Sequence, residues 1–428
     1  MLRKKQLLVL FLTICSLTGF AQESKNTFKL YGFVRNDAYS DTRKMNAAVL
    51  DFFSFYPMYQ NPNALGEDLN AVSSSNLVSI NSRLGLDISG PAGIFGATKM
   101  FAKLETDFGG SPNFMLLRIR QAYAQILWSK SDLLIGQTWH PFFVPSTVPN
   151  VHSLNAGNPF QPFNRSPMIR YNYQVNKLKM TAAAVYQMMY ANQGPDETAI
   201  SKTVASASFQ KNAIIPEMFL GLEYKQGKML VGLGASYKSI MPYRYNSDSI
   251  INNVKFGVSH VNHKVLSTPA AMIYGVYTSG KLSVKAKALL GQNLTEQTMI
   301  GGYAITKDYK CIPYTTMSSY ISLNYGKTHQ VGLMVGYTAN LGPSKTVPGG
   351  SNYYGFGLDQ ANTPNEKIVG TIFRLTPSYS YNINNWQLGV ELEYTKAGWG
   401  ERSATNGNIE HLKMADNYRI YAILMYTF

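Results

Sequence analysis

DNYRIYAILMYTF, residues 416–428, ends the chain on an unbroken alternation. In an extended strand, side chains i and i+2 share a face. Tyr418, Ile420, Ala422, Leu424, Tyr426 and Phe428 then line one face, all apolar or aromatic. Arg419, Tyr421, Ile423, Met425 and Thr427 line the other. A soluble sheet can contain one such strand. What decides the fold is how often the pattern recurs and what joins the copies.

It recurs throughout. In WQLGVELEY, Trp386, Leu388, Val390, Leu392 and Tyr394 oppose Gln387, Gly389, Glu391 and Glu393. In LSVKAKAL, Leu282, Val284, Ala286 and Ala288 oppose Ser283, Lys285 and Lys287. Period-2 segments fall at 28–39, 77–89, 94–107, 114–127, 132–139, 165–174, 177–190, 216–226, 229–239, 268–278, 281–292, 313–325, 328–340, 368–382, 385–396 and 416–428. Short turns such as VNK (175–177), KQGK (225–228) and SGK (279–281) alternate with long polar loops such as 40–76, 191–214 and 341–367. Sixteen tilted strands with short turns at one end and long loops at the other predict an all-β fold: a transmembrane antiparallel barrel of the outer-membrane type. Trp128, Trp386, Tyr394 and Tyr426 at strand ends suit interfacial girdles.

The N-terminus fits export. Arg3, Lys4 and Lys5 precede an apolar stretch from Leu7 to Phe20, followed by Ala21, so 1–21 is expected to be a cleaved signal peptide and 22–428 the barrel. Ile14 before Cys15 argues against a lipoprotein signal, and Cys311 is then the sole cysteine. Removing the three leader cations from 39 basic residues leaves 36 against 24 acids, about +12. Those cations are scattered over turns and walls, which argues against nucleic acid; lysines near the membrane surface can pair with outer-membrane lipid phosphates.

Within the apolar segment FMLLRIRQAYAQILW (114–128), Arg118 and Arg120 stand two apart. Facing lipid, each would cost about 2–4 kcal/mol near the midplane, so the face carrying them must look into the lumen. The same alternation sends Arg35, Arg83, Lys99, Lys103, Glu105 and Arg170 inward, a wall of charge at mid-height. It places Ala122 and Ala124 below the arginines as open space, and Ile80, Gln121 and Gln125 on the outer face, the glutamines at a subunit contact. Beside the wall, the third long loop, HPFFVPSTVPNVHSLNAGNPFQPF (140–163), holds five prolines and no Asp, Glu, Lys or Arg. Folded inward, it would narrow a pore without adding acids, leaving the constriction positive and suited to small anionic solutes. The alternative is that the cations pair with Asp87, Glu105, Asp107, Glu391 or Glu393 and only brace the wall.

The run from Asn81 to Tyr171 resembles the DcaP-like trimeric porins. The carriers are Ser82, Arg83 and Gly85; Glu105 and Asp107; Arg118 and Arg120 with Ala122 and Tyr123; the GQTW run Gly136 to Trp139; and Arg170. The resemblance implies a homotrimer of sixteen-strand barrels passing small anions such as dicarboxylates. It covers about a quarter of the chain, and the N-terminal coiled coil of the family type is replaced here by the short lead Gln22 to Asn26. The terminal Phe428 also resembles the signal read by the barrel-assembly machinery. Other roles for such a barrel are enzymatic or structural and adhesive. His140 or His152 with Ser146 or Ser153 would be needed for a nucleophile, and His260 with His263 is half a metal site at best. Neither an enzyme nor a cofactor is expected.

Overall fold

The computed structural model describes residues 26–91, 94–110, 116–196, 202–251, 254–261, 263–359, 362 and 366–428. The expected signal peptide lies outside them. The wall consists of β1 (Thr27–Asp41), β2 (Arg83–Gly90), β3 (Lys99–Asp107), β4 (Arg118–Leu127), β5 (Ser131–Trp139), β6 (Arg165–Val175), β7 (Leu178–Val185) and β8 (Glu217–Gln226). It continues through β9 (Met229–Ile240), β10 (Leu266–Ser279), β11 (Leu282–Gln292), β12 (Cys311–Gly326), β13 (His329–Pro343), β14 (Lys367–Ile383), β15 (Trp386–Arg402) and β16 (Ile409–Thr427). Each pairs antiparallel with its neighbour. β1 meets β2 from Thr27↔Ser89 to Phe33↔Arg83 and meets β16 from Phe33↔Thr427 to Asp41↔Arg419, closing the barrel.

Local chemistry sets the hairpins. Asn176, Gly227, Gly280 and Asn384 hold φ between 50° and 62° in four of the short turns. Gly and Asn are the residues that enter this left-handed region most cheaply. The first described residue, Asn26, and the last, Phe428, both lie at the short-turn end, where Phe428 N–H and C=O pair with Gly32.

The two faces differ as the alternation demands. On β16, Tyr418, Ile420 and Leu424 are exposed while Asn417, Arg419 and Tyr421 are fully buried. Leu30, Leu220 and Ile273 are 66%, 68% and 62% exposed on the outside. An apolar band of this extent is stable only against acyl chains. Trp386 and Tyr426 meet in a tilted pair at 4.8 Å between ring centres near the turn end, and Tyr394 and Tyr418 in another at 4.9 Å further up.

The lumen is filled rather than empty. Phe53, Phe55 and Tyr56 from the first loop pack with Phe143, Phe160 and Phe163 from the third, Ile300, and the wall residues Tyr320, Met334, Ile372 and Trp399.

The sequence-based strand positions hold, with shifted ends: β3 begins at Lys99, β4 at Arg118, β7 stops at Val185 and β16 begins at Ile409. Two face assignments are overturned. Residues 80–81 form a turn between Ser74–Val78 and β2, and Ile80 turns inward to pack with Tyr39, Tyr421 and Ile423. In β4 a bulge breaks the alternation. Thr106 pairs with Ile119 and Glu105 with Gln121, leaving Arg120 as the extra residue. Beyond it the faces exchange: Gln121 and Tyr123 face the lumen and Ala122 and Ala124 face outward. Gln125 bonds Asp132 at 2.8 Å on the inner side. The alanines therefore leave no space below the arginines, and the glutamines support no subunit contact.

Candidate functional site: the pore constriction

The bulge explains how two arginines and the residues beyond them share one wall. An extra residue frees ladder groups. The Gln137 side-chain amide donates to the carbonyls of Ile119 and Arg120, each at 3.2 Å. Beside it, Gly136 has φ +132°, and a Cβ there would lie 2.6 Å from the Tyr123 Cα. Thr138 donates to Gln121 at 2.8 Å, and Trp139 stacks on Phe143 at 3.7 Å. The GQTW run thus holds the bulge in place and launches the third loop.

Most cations of this wall are paired. Arg118 grips Asp107 through two bonds of 2.9 and 2.8 Å. Arg120 bridges Glu105 at 3.0 Å and Asp107 at 2.5 Å, and Arg83 stands 3.6 Å from Glu105. Lys103 pairs with Asp87 at 2.7 Å, nearer the short turns, and Arg35 with Asp37 at 2.6 Å. Lys99, expected at mid-height, is exposed at the turn end of β3, where it pairs with Leu127. Arg170 faces the lumen without an ion pair among the described residues. The arrangement brings Arg83, Glu105, Arg118 and Arg120 into one cluster and leaves Arg35, Lys99, Lys103 and Arg170 apart from it.

Arg165, which the alternation missed, joins the cluster. It opens β6 out of phase with Arg170, so a period-2 reading points it at lipid. It is fully buried instead, 4.9 Å over Trp139 and 5.5 Å over Phe163. It contacts the Tyr190 hydroxyl at 3.3 Å, and two of its guanidinium nitrogens have no partner. Cation–π contact substitutes for the missing carboxylate. Arg83, Arg118, Arg120 and Arg165 against Glu105 and Asp107 leave the cluster two charges positive. Arg118 and Arg120 also line a cavity of about 270 Å³ with Gly109, Phe53 and Tyr190.

Segment 140–163 crosses the lumen to the far wall. Lys287 donates to the carbonyls of Phe142 and Phe143, at 2.7 and 2.8 Å, and Lys285 to that of Val148 at 2.7 Å. Tyr320 donates to Thr147 at 2.7 Å and Arg374 to Asn158 at 2.8 Å. Glu391 accepts the His152 and Ser153 N–H groups, and Asn155 donates to Glu393 at 3.0 Å. Wall side chains thus satisfy the backbone of a loop that has left bulk solvent for the lumen.

The loop histidines do not form the imagined nucleophile pairs. His140 Nε2 lies 3.4 Å from Glu217. His152 Nε2 lies 3.2 Å from both the Tyr379 carbonyl and the Ser380 hydroxyl. The His260 side chain lies outside the described residues. Burial, with a smaller push from Arg35, lowers the His152 pKa to about 4. A depressed histidine takes up its proton more readily once freed. Its stabilisation of the seated loop is complete above about 6.5 and is lost as pH falls toward 4. We expect protease cleavage within 140–163 to accelerate across that window, and His152→Gln to flatten the profile. A cleavage rate independent of pH in the native chain would refute this.

No family model matches the chain, and no curated protein matches it. Solved structures do. The outer-membrane channel DcaP of Acinetobacter baumannii aligns at TM-score 0.66 and 16% identity, over 96% of this chain and 99% of its own. The trimer form of OmpT, an outer-membrane protein of Vibrio cholerae, aligns at 0.53 and 10%, over 94% and 99%. The anion-selective porin of Comamonas acidovorans aligns at 0.51 and 12%, over 94% and 100%. The fold of this chain is that of the outer-membrane porins, DcaP among them, and its place is the bacterial outer membrane.

Proposed function

We propose that the protein is a trimeric porin for small anions of the dicarboxylate kind. The observation that carries this reading is the excess charge at the constriction: four arginines against two carboxylates, faced by a loop with no acid of its own. Both halves of the sequence-level alternative are present, because the arginines brace the wall and still leave net charge. In a narrow, low-dielectric passage a fixed excess of this kind favours the counter-ion. The anion selectivity of the Comamonas porin and the trimer form of the Vibrio protein support the two parts of the proposal. A planar bilayer under a salt gradient tests it. The expected reversal potential has the anion-preferring sign, and a cation-preferring sign would overturn the proposal. Native mass measurement in mild detergent is expected to give three copies, with β1–β5 and β16 at the contact; a monomer at every concentration would exclude the trimer.

A further inference from the structure

Below the third loop, toward the short turns, the lumen opens into a second cavity of about 310 Å³. That lies at the lower end of the range for small-molecule sites, ~300–1,000 Å³. Its register places it on the opposite side of Trp139 from the cavity at Arg118 and Arg120. Asn172 and Thr181, three residue pairs from the 175–178 turn, mark its floor, and Trp139, His140 and Pro141 its roof.

Most polar groups here are already engaged with one another. Thr138 donates to Gln121. Thr181 donates to Asn172, and Asn172 to Asp132 at 2.9 Å. Lys179 pairs with Glu223 at 2.7 Å, and Glu223 also accepts from Tyr274 at 3.1 Å. Two groups stand out. Arg170 has no hydrogen bond or ion pair to its side chain among the described residues, and its Nε is buried. The Tyr123 hydroxyl likewise makes no hydrogen bond among them. The rest of the lining is apolar or aromatic: Trp139, Val144, Phe219, Met272 and Tyr274. A guanidinium with a buried nitrogen and no partner among the described residues is desolvated without compensation. A carboxylate seated bidentate on the two terminal nitrogens of Arg170 supplies the partner that the described residues do not.

We propose that this chamber is a distinct binding subsite for aromatic monocarboxylates. Arg170 takes the carboxylate, the Tyr123 hydroxyl donates to it, and the ring lies among Trp139, Phe219 and Tyr274. A second carboxylate would meet Glu223 or Asp132, and a polyhydroxylated body would find the amides occupied. One charge and a flat apolar body fit; two charges do not. The proposal rests on the anion-porin reading and adds a second station to it, reached from the arginine cluster past the Trp139 indole.

The test is current interruption in single channels carrying chloride. Sodium benzoate, acetate or succinate is added on the short-turn side. Benzoate is expected to interrupt the current at lower concentration than either of the others. Arg170→Gln is expected to raise its half-blocking concentration at least about tenfold, the loss of one charge-assisted contact, and Arg170→Lys to retain most of it. Arg170 holds no partner that its replacement would orphan, so both variants should fold. Equal block by benzoate and acetate overturns the proposal, as does an Arg170→Gln channel with unaltered benzoate block. A channel that prefers anions yet ignores benzoate defeats this subsite alone; one that prefers cations defeats the porin reading beneath it.

Discussion

Arg165→Met is expected to weaken anion preference while leaving the barrel as stable as before. Arg165 is the one member of the cluster without a carboxylate among the described residues, so removing it lowers the local excess from two charges to one. At an effective dielectric of 20, a unit charge acts on an ion ~8 Å away with about 2 kcal/mol. Salt trims this, and a fall of roughly three- to tenfold in the anion-to-cation permeability ratio follows. Stability is a near-balance. Met forfeits the contacts over Trp139 and Phe163, each on the order of 1–2 kcal/mol. It also removes a buried charge whose desolvation opposes folding. The reversal potential and the temperature of the heat-induced gel shift give the two readings. An unchanged permeability ratio in the folded variant would show that Arg165 sends no field into the passage.

Arg120→Leu removes the same single charge and is expected to behave quite differently. Its guanidinium holds Glu105 at 3.0 Å and Asp107 at 2.5 Å, all three side chains nearly inaccessible. Breaking a buried pair from one side typically costs about 3–5 kcal/mol. Arg83 and Arg118 remain beside the stranded carboxylates, so the lower end of that range applies. The gel shift should move to clearly lower temperature. If Arg120→Leu and Arg165→Met unfold alike, the ion pairs of this wall contribute nothing measurable to stability.

The contrast between these two arginines shows what alternation can and cannot convey. Strand count, closure and the inward face of β15 and β16 follow from period 2, because lipid and lumen impose opposite chemistry on successive residues. Glu391, Glu393 and Arg419 sit inside as that rule requires. The rule carries no information about a one-residue slip. Gln121 and Gln125 are therefore expected on the wrong face, and Arg165, at the edge of its strand, escapes the pattern. Ile80 failed for a related reason, since a turn resets the phase. The pairing of each arginine with a particular acid depends on register between strands, which composition does not encode. The meeting of Phe53, Phe163 and Ile300, more than 240 positions apart at the extremes, is a product of closure.

The bulge at Arg120 makes β4 a strand with two phases. Walking a single cysteine along it, a water-soluble thiol reagent would mark 118, 120, 121, 123 and 125, two neighbours in a row before the alternation resumes, while 119, 122 and 124 would answer only to reagents dissolved in the bilayer. Deleting position 120 would rejoin the two phases. It would keep 118, 121, 123 and 125 together on the lumen face and 119, 122 and 124 toward lipid, so the bulge supplies the guanidinium between Glu105 and Asp107 and not the inward facing of either half.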